Sequence, residues 1–128
     1  MGRLVADRLK KRADFLRAQK GVRKGAPGLT LEACPTPDIA AGPGRFRVGF
    51  TASRKVGGAV ERNRAKRRLR EAARAVLPLS AHERTDYVLI ARKATLDRPF
   101  GALLKDLASA LAAAHLRLGA GENRDEVR

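Results

Sequence analysis

The run 54–74 carries nine basic residues, Arg54, Lys55, Arg62, Arg64, Lys66, Arg67, Arg68, Arg70 and Arg74, against two acidic ones, Glu61 and Glu71. Guanidinium groups at this density suit one chemistry above others: forked hydrogen bonds to phosphate oxygens, with stacking on bases beside it. A merely solvated helix face would intersperse Glu and Lys at i, i+4 so that neighbours relieve one another. Here Glu71 stands nearly alone among seven basic residues in 62–74, so the run reads as a surface for polyanions. No other constellation competes with it. His82 and His115 lie far apart and lack carboxylate or cysteine partners at metal-ligand spacing. His82 reads as an exposed loop residue, and His115 as a late-helix residue favourable to the helix dipole. Cys34 is the only cysteine, which excludes an intrachain disulfide, and it reads as a small half-buried apolar residue at a strand end. Gly57-Gly58 lacks the Lys-Ser/Thr that a nucleotide-binding loop needs. With no Ser/His/Asp set and no carboxylate pair, the chain's own side chains do not make an enzyme.

Such a surface has to be held by something. From Ala59 onward the run contains strong helix formers and no Gly or Pro until Pro78. At 100° per residue, Ala65, Leu69, Ala72 and Val76 fall on one narrow stripe, the buried face of a helix. Arg62, Lys66, Arg70 and Arg74 step along one flank of it, with Asn63 and Arg67 beside them and Arg64 and Arg68 closing the arc from the other side. The Gly pair ahead of the helix allows a sharp entry and a close approach to phosphate.

Upstream, 3–20 is predicted as a basic helix with Leu4, Leu9, Phe15 and Leu16 on a thin apolar face, capped by Asp7 or starting later at Asp14, and stopped by Gly21. Residues 22–28 read as a connector and 29–34 as a strand; 35–44, with Pro35, Pro37, Gly42, Pro43 and Gly44, read as a loop. The clearest alternation is 45–53, with Phe46, Val48, Phe50 and Ala52 on one face and Arg45, Arg47, Gly49, Thr51 and Ser53 on the other. The nearly unbroken apolar stretch around Tyr87 (86–92) predicts a strand covered on both sides. A last helix begins after Asp97 and Pro99, buries Leu103, Leu107 and Leu111, and should end at Gly119. The order helix, strand, strand, basic helix, strand, helix gives a small two-layer α/β sandwich of the α+β class. A βαβ crossover through the basic helix is long enough for parallel pairing. Residues 1–118 form a single RNA-binding domain in this reading, and 119–128 a polar, disordered tail.

Composition sets the partner class. The chain has 128 residues, 28 Lys+Arg, 13 Asp+Glu and a net charge of +15, enough chain for one domain and one core. Self-repulsion at that charge implies a partner supplying negative charge. No signal peptide and no stretch of the ~20 apolar residues of a membrane span is visible, so a cytoplasmic setting without membrane contact is expected.

The segment 53–71, with its Arg62-Asn63-Arg64 core, resembles the signature of the bacterial ribonuclease P protein family. The resemblance extends to Arg8-Leu9-Lys10-Lys11-Arg12-Ala13-Asp14-Phe15, to Arg47-Val48-Gly49-Phe50-Thr51 and to the Tyr87 strand, and so spans about 3–118. It implies a non-catalytic protein subunit of an endoribonuclease holoenzyme. Its RNA subunit, using magnesium ions held mainly by the RNA and none tightly by the protein, removes the 5′ leader of precursor tRNA. It further implies that Arg54, Lys55, Arg62, Asn63, Arg64, Lys66, Arg67 and Arg70 contact the RNA subunit. Lys11, Phe15, Arg47, Thr51 and Ser53 would contact the leader, in a cleft between the first helix and the open sheet face. The partners implied are ribonuclease P RNA and the precursor leader, with no obligate protein partner. Family members also carry a left-handed crossover around the basic helix, against the usual handedness. Gly58 stands where the family often has Asn, and Gln19 where it often has an aromatic. The alternatives are a ribosomal or ribosome-assembly RNA-binding protein of similar fold and, more remotely, a duplex-DNA architectural protein.

Overall fold

The structure, a computed structural model, describes residues 2–40 and 42–127, with side chains as far as Gly119. Five strands, β1 (Val5–Arg8), β2 (Val22–Gly25), β3 (Leu29–Pro35), β4 (Arg45–Thr51) and β5 (Thr85–Ala91), form one sheet in the order β1-β4-β5-β3-β2. Three α-helices accompany them: α1 (Arg12–Gln19), α2 (Ala59–Ser80) and α3 (Phe100–Val127). The β4–α2–β5 crossover joins adjacent parallel strands, as its length allows. One sheet face, from Leu29, Leu31, Ala33, Phe46, Val48, Tyr87 and Leu89, packs against α2 and α3 in the main core. The opposite face is covered only in part, where Leu9, Phe15 and Ala18 meet Cys34, Val88 and Ile90.

Three sequence expectations need correction. The basic helix over 3–20 is a strand followed by a shorter helix: β1 pairs parallel with β4, and α1 begins only at Arg12. Edge pairing overrides helix propensity there. The backbone N–H groups of Leu4 and Val5 bond to the carbonyls of Pro78 and Gly44, and Asp7 takes a forked pair from Arg45 at 2.8 and 2.7 Å. Likewise, 22–28 is not simply a connector. Its first four residues form edge strand β2, whose exposed positions carry Arg23 and Gly25, a short basic edge of the kind that resists further pairing. The fold class stands, with these two edge strands added. Finally, α3 passes through Gly119, which the sequence marks as its stop; a single helical Gly costs only about 1 kcal/mol relative to Ala. The expected tail beyond Gly119 falls where side chains lie outside the described residues.

Helix α2 is fixed where its pattern demands. Ala65, Leu69 and Ala72 are fully buried and Val76 partly so, while Ala73 and Leu77 extend the dry stripe. At its start Gly57 has φ +145°, and a Cβ there would lie 2.8 Å from the Glu61 side chain. The Gly58 N–H donates to the Glu61 carboxylate at 3.0 Å, satisfying one of the orphan donors of the first turn. Glu61 is therefore a cap, which explains one of the two acids in the run.

Candidate nucleic-acid interface

The cations of α2 separate into two groups by what they touch. Arg68 reaches back to the carbonyls of Thr95 at 2.5 Å, Leu96 at 3.1 Å and Arg98 at 2.6 Å, so it fastens α2 to the turn that precedes α3. Arg64 leans the same way, to Leu96 O at 3.4 Å and towards Asp97 at 3.8 Å. On the other flank, Arg62 makes one long bond to Gly58 O, and Arg70 lies 5.7 Å from the Phe50 ring centroid. Among the described residues, Asn63, Lys66 and Arg67 have no side-chain partner and Lys66 and Arg67 no ion pair; Arg74 has only exposed Glu71 at 3.8 Å. The ladder Arg62, Lys66, Arg70 and Arg74 thus presents charge that the chain relieves only at its last member, through the exposed Glu71 carboxylate. Arg64 and Arg68, which the helical wheel puts in the same arc, serve largely to position it.

The open face of the sheet carries a groove. Its narrower end, about 180 Å³, lies between α1 (Arg12, Phe15, Leu16) and the floor residues Thr51, Val88 and Ile90. It continues through Gln19, Glu32 and Thr51 into a wider trough of about 780 Å³ that reaches Ser53, Lys55, Arg92 and Lys93. Of the residues expected to meet a leader, Phe15, Thr51 and Ser53 are brought together on this groove. Lys11 and Arg47 do not line it. Lys55, expected with the helix, lines the trough; exposed Arg54 beside it lies in the loop that joins groove to helix. Gln19, Arg23, Arg92 and Lys93 were missed from sequence. The sequence Val22-Arg23-Lys24-Gly25 has no apolar alternation that would mark Arg23 as a strand position on this face.

Arg47 has a different duty. The β4–β5 register sets it opposite Asp86, which is wholly buried, and the two form a fork of 2.8 and 2.6 Å. The same guanidinium meets Asp14 of α1 at 3.2 Å, and Arg17 adds a bond to Asp14 at 2.9 Å. Thr36 donates its hydroxyl to Asp86 at 2.7 Å. Burial works against the Asp14 charge, but the hydrogen bonds and charges of Arg17 and Arg47 outweigh it and hold this carboxyl below its usual range. Burial, with the Asp86 charge behind it, pushes the neighbouring Cys34 thiol up to about 11, so it is inert as a nucleophile. The cluster pins α1, and with it Phe15, to the sheet.

Phe15 is both packed and accessible: it is half-buried, and its ring lies across Gly49. A Cβ at Gly49 would fall 2.6 Å from two of its ring carbons. Gly49→Ala should therefore cost about 1–3 kcal/mol as an overpacked contact. In thermal denaturation the loss amounts to several degrees, and an unchanged melting temperature would mean that the ring yields without cost.

His82 is the exposed loop residue expected, but the reading of His115 needs correction, because folding stacks the two rings. The His82 and His115 rings lie 3.5 Å apart at 11°, and His115 Nε2 meets the Tyr87 hydroxyl at 2.7 Å. Burial, with the His82 charge second, lowers the His115 pKa to about 4, so it is neutral and not a partner of the helix dipole. A histidine whose folded pKa is depressed contributes stability above its unfolded value near 6.5, and loses it as pH falls towards 4. The melting temperature should fall across that window, and His115→Gln, which can still bond Tyr87, should flatten the fall. Among the described residues no three His, Cys, Asp or Glu converge as a metal cluster, and no helix is long and apolar enough to cross a membrane.

Comparison with known proteins bears on the family and the fold. A family profile described as Ribonuclease P matches residues 5–115. A Paramagnetospirillum magneticum protein named Ribonuclease P protein component is 56% identical over 106 residues, covering 82% of this chain and 80% of its own. A Ruegeria pomeroyi protein of the same name is 53% identical over 108 residues, covering 84% and 85%. Among solved structures, the Staphylococcus aureus RNase P protein superposes with a TM-score of 0.66 at 30% identity, over 84% of this chain and 94% of that one. The Thermotoga maritima RNase P protein gives 0.66 at 25% identity, over 82% and 94%.

Proposed function

The chain belongs to the ribonuclease P protein family, and from that premise we propose how its two surfaces divide the work of the holoenzyme. The cationic flank of α2, with Asn63 and Arg67 beside the ladder, docks on the backbone of the ribonuclease P RNA. The groove beneath α1 receives the single-stranded 5′ leader of precursor tRNA, with Phe15 as a stacking platform and Thr51, Ser53 and Lys55 along its path. Arg47 and Arg68 act through other residues, by positioning α1 and α2. Cleavage of the leader is carried out by the RNA subunit with magnesium ions that the RNA holds, in the cytoplasm, and the protein requires no tightly bound cofactor or obligate protein partner.

One observation carries this reading: a cationic ladder whose single internal counter-ion is the exposed Glu71 lies on the helix side of the sheet, and a groove with a half-exposed aromatic on the other, joined by the loop 52–58. Physically, the RNA must hold its own backbone against a charged substrate. A +15 chain at that junction replaces part of the magnesium otherwise needed. With ~6–10 phosphate contacts, affinity should fall roughly 10³–10⁵-fold between 50 and 200 mM salt. The deciding test adds the chain to ribonuclease P RNA and follows precursor-tRNA cleavage at low magnesium. Restoration of cleavage supports the proposal; no restoration, with the protein bound, sinks it and favours a ribosomal role.

A further inference from the structure

A second cavity lies on the helix side of the sheet, away from the groove, where the β1–β4 edge meets α2. It is an open slot of about 250 Å³ with Phe46, Phe50 and Leu77 in its wall and Arg8, Arg70 and Arg74 lining it beside Asp7, whose carboxylate is already held by the Arg45 fork at 2.8 and 2.7 Å. Apolar walls alone would say nothing about what fills them. Three arginines from two separate elements, one of them held against the Phe50 ring, specify a flat, apolar group that carries negative charge with it. The slot is also the end of a track. Arg70 and Arg74 are the last two members of the ladder that starts at Arg62 and Lys66, so a phosphate backbone following α2 is delivered to it.

Resting on the reading of α2 as the RNA-docking face, we infer that this slot receives one unstacked nucleobase of the structured RNA partner. The base lies against Phe50 and beneath Arg70, and its flanking phosphates meet Arg8 and Arg74. A second copy of the chain is a poor occupant, because it would bring another +15 to three arginines.

Ala6 is an exposed β1 residue on the slot's border, outside the α2 ladder and the core, and Ala6→Trp fills the cavity from its rim. Binding of the full chain to ribonuclease P RNA should weaken roughly five- to a hundred-fold, the worth of one stacked base. The slope of log affinity against log salt should not change, because every phosphate keeps its cation. Unchanged affinity overturns the inference, and so does a loss accompanied by a shallower slope. Should the variant melt early, the unmodified chain decides by nuclear magnetic resonance. Adenosine monophosphate should shift the amides of Ala6, Phe50 and Ala73, whereas ribose 5-phosphate should shift only those near the arginines, and identical maps overturn the proposal. Arg62→Glu with Lys66→Glu is the control for the underlying reading: if that pair binds RNA normally, the docking face is wrong and not merely the slot.

Discussion

Asp86→Ala should lower the unfolding free energy by about 3–5 kcal/mol, the cost of leaving one member of a buried pair without the other. Asp86 is fully buried and accepts from both Arg47 and Thr36, and Arg47 keeps only 16% of its side chain exposed. Removing the carboxylate strands a guanidinium and a hydroxyl in a place water reaches poorly. In thermal denaturation the loss amounts to roughly 10–20 °C for a domain of this size. The functional signature is selective. Because Arg47 bridges Asp86 to Asp14, the variant loosens α1 and should discriminate less well between precursor and mature tRNA. Affinity for the RNA subunit should barely move. A change below about 1 kcal/mol would mean that the cluster is no anchor. Acid provides a parallel test. The Asp14 carboxyl is held below its ordinary value, so its share of the stability is present above the unfolded pKa near 3.9 and is lost only as pH falls through the lower, folded value.

Reversing Arg62, Lys66 and Arg67 to Glu together should reduce affinity for ribonuclease P RNA about 10³-fold or more, since like charges facing each other across an interface cost several kcal/mol. The salt dependence should become shallower by about 0.9 for each phosphate that the helix no longer neutralises, the value for duplex polyanions. Stability should hold, because Lys66 and Arg67 take part in no ion pair among the described residues and Arg62 makes only one bond of 3.4 Å to the Gly58 carbonyl. Arg68→Ala makes the contrast. That side chain satisfies three carbonyls, so its loss should appear first as a lower melting temperature and only secondarily as weaker binding. Unaltered RNA binding by the triple reversal would remove the ladder from the interface.

How much of this was legible depended on the distance over which each feature is decided. The stripe Ala65, Leu69, Ala72 and the alternation Phe46, Val48, Phe50 are local periodicities, and both face the core where the pattern puts them, with Phe50 only partly buried. The β1 strand was not legible, because Val5–Arg8 has nothing to hold it extended until β4 arrives some forty residues later. Arg47 illustrates the same limit within a site. Its alternation places it correctly on the open face, but only the pairing of β4 with β5 reveals a buried carboxylate opposite it. Charge density located the cationic helix, yet could not separate Lys66 and Arg67, which have no partner among the described residues, from Arg68, which is spent on backbone carbonyls. The histidines, 33 positions apart in sequence, become neighbours only when α3 packs beside the end of α2.

The division of labour between helix and groove is tested most directly by photo-crosslinking in the assembled complex with precursor tRNA. Leu16, exposed on α1 and lining the groove, and Arg67, exposed on α2, are replaced one at a time by a photoreactive residue. Position 16 should label the 5′ leader and position 67 the ribonuclease P RNA. Labelling of the same RNA from both positions, or of the RNA subunit alone from position 16, would contradict it.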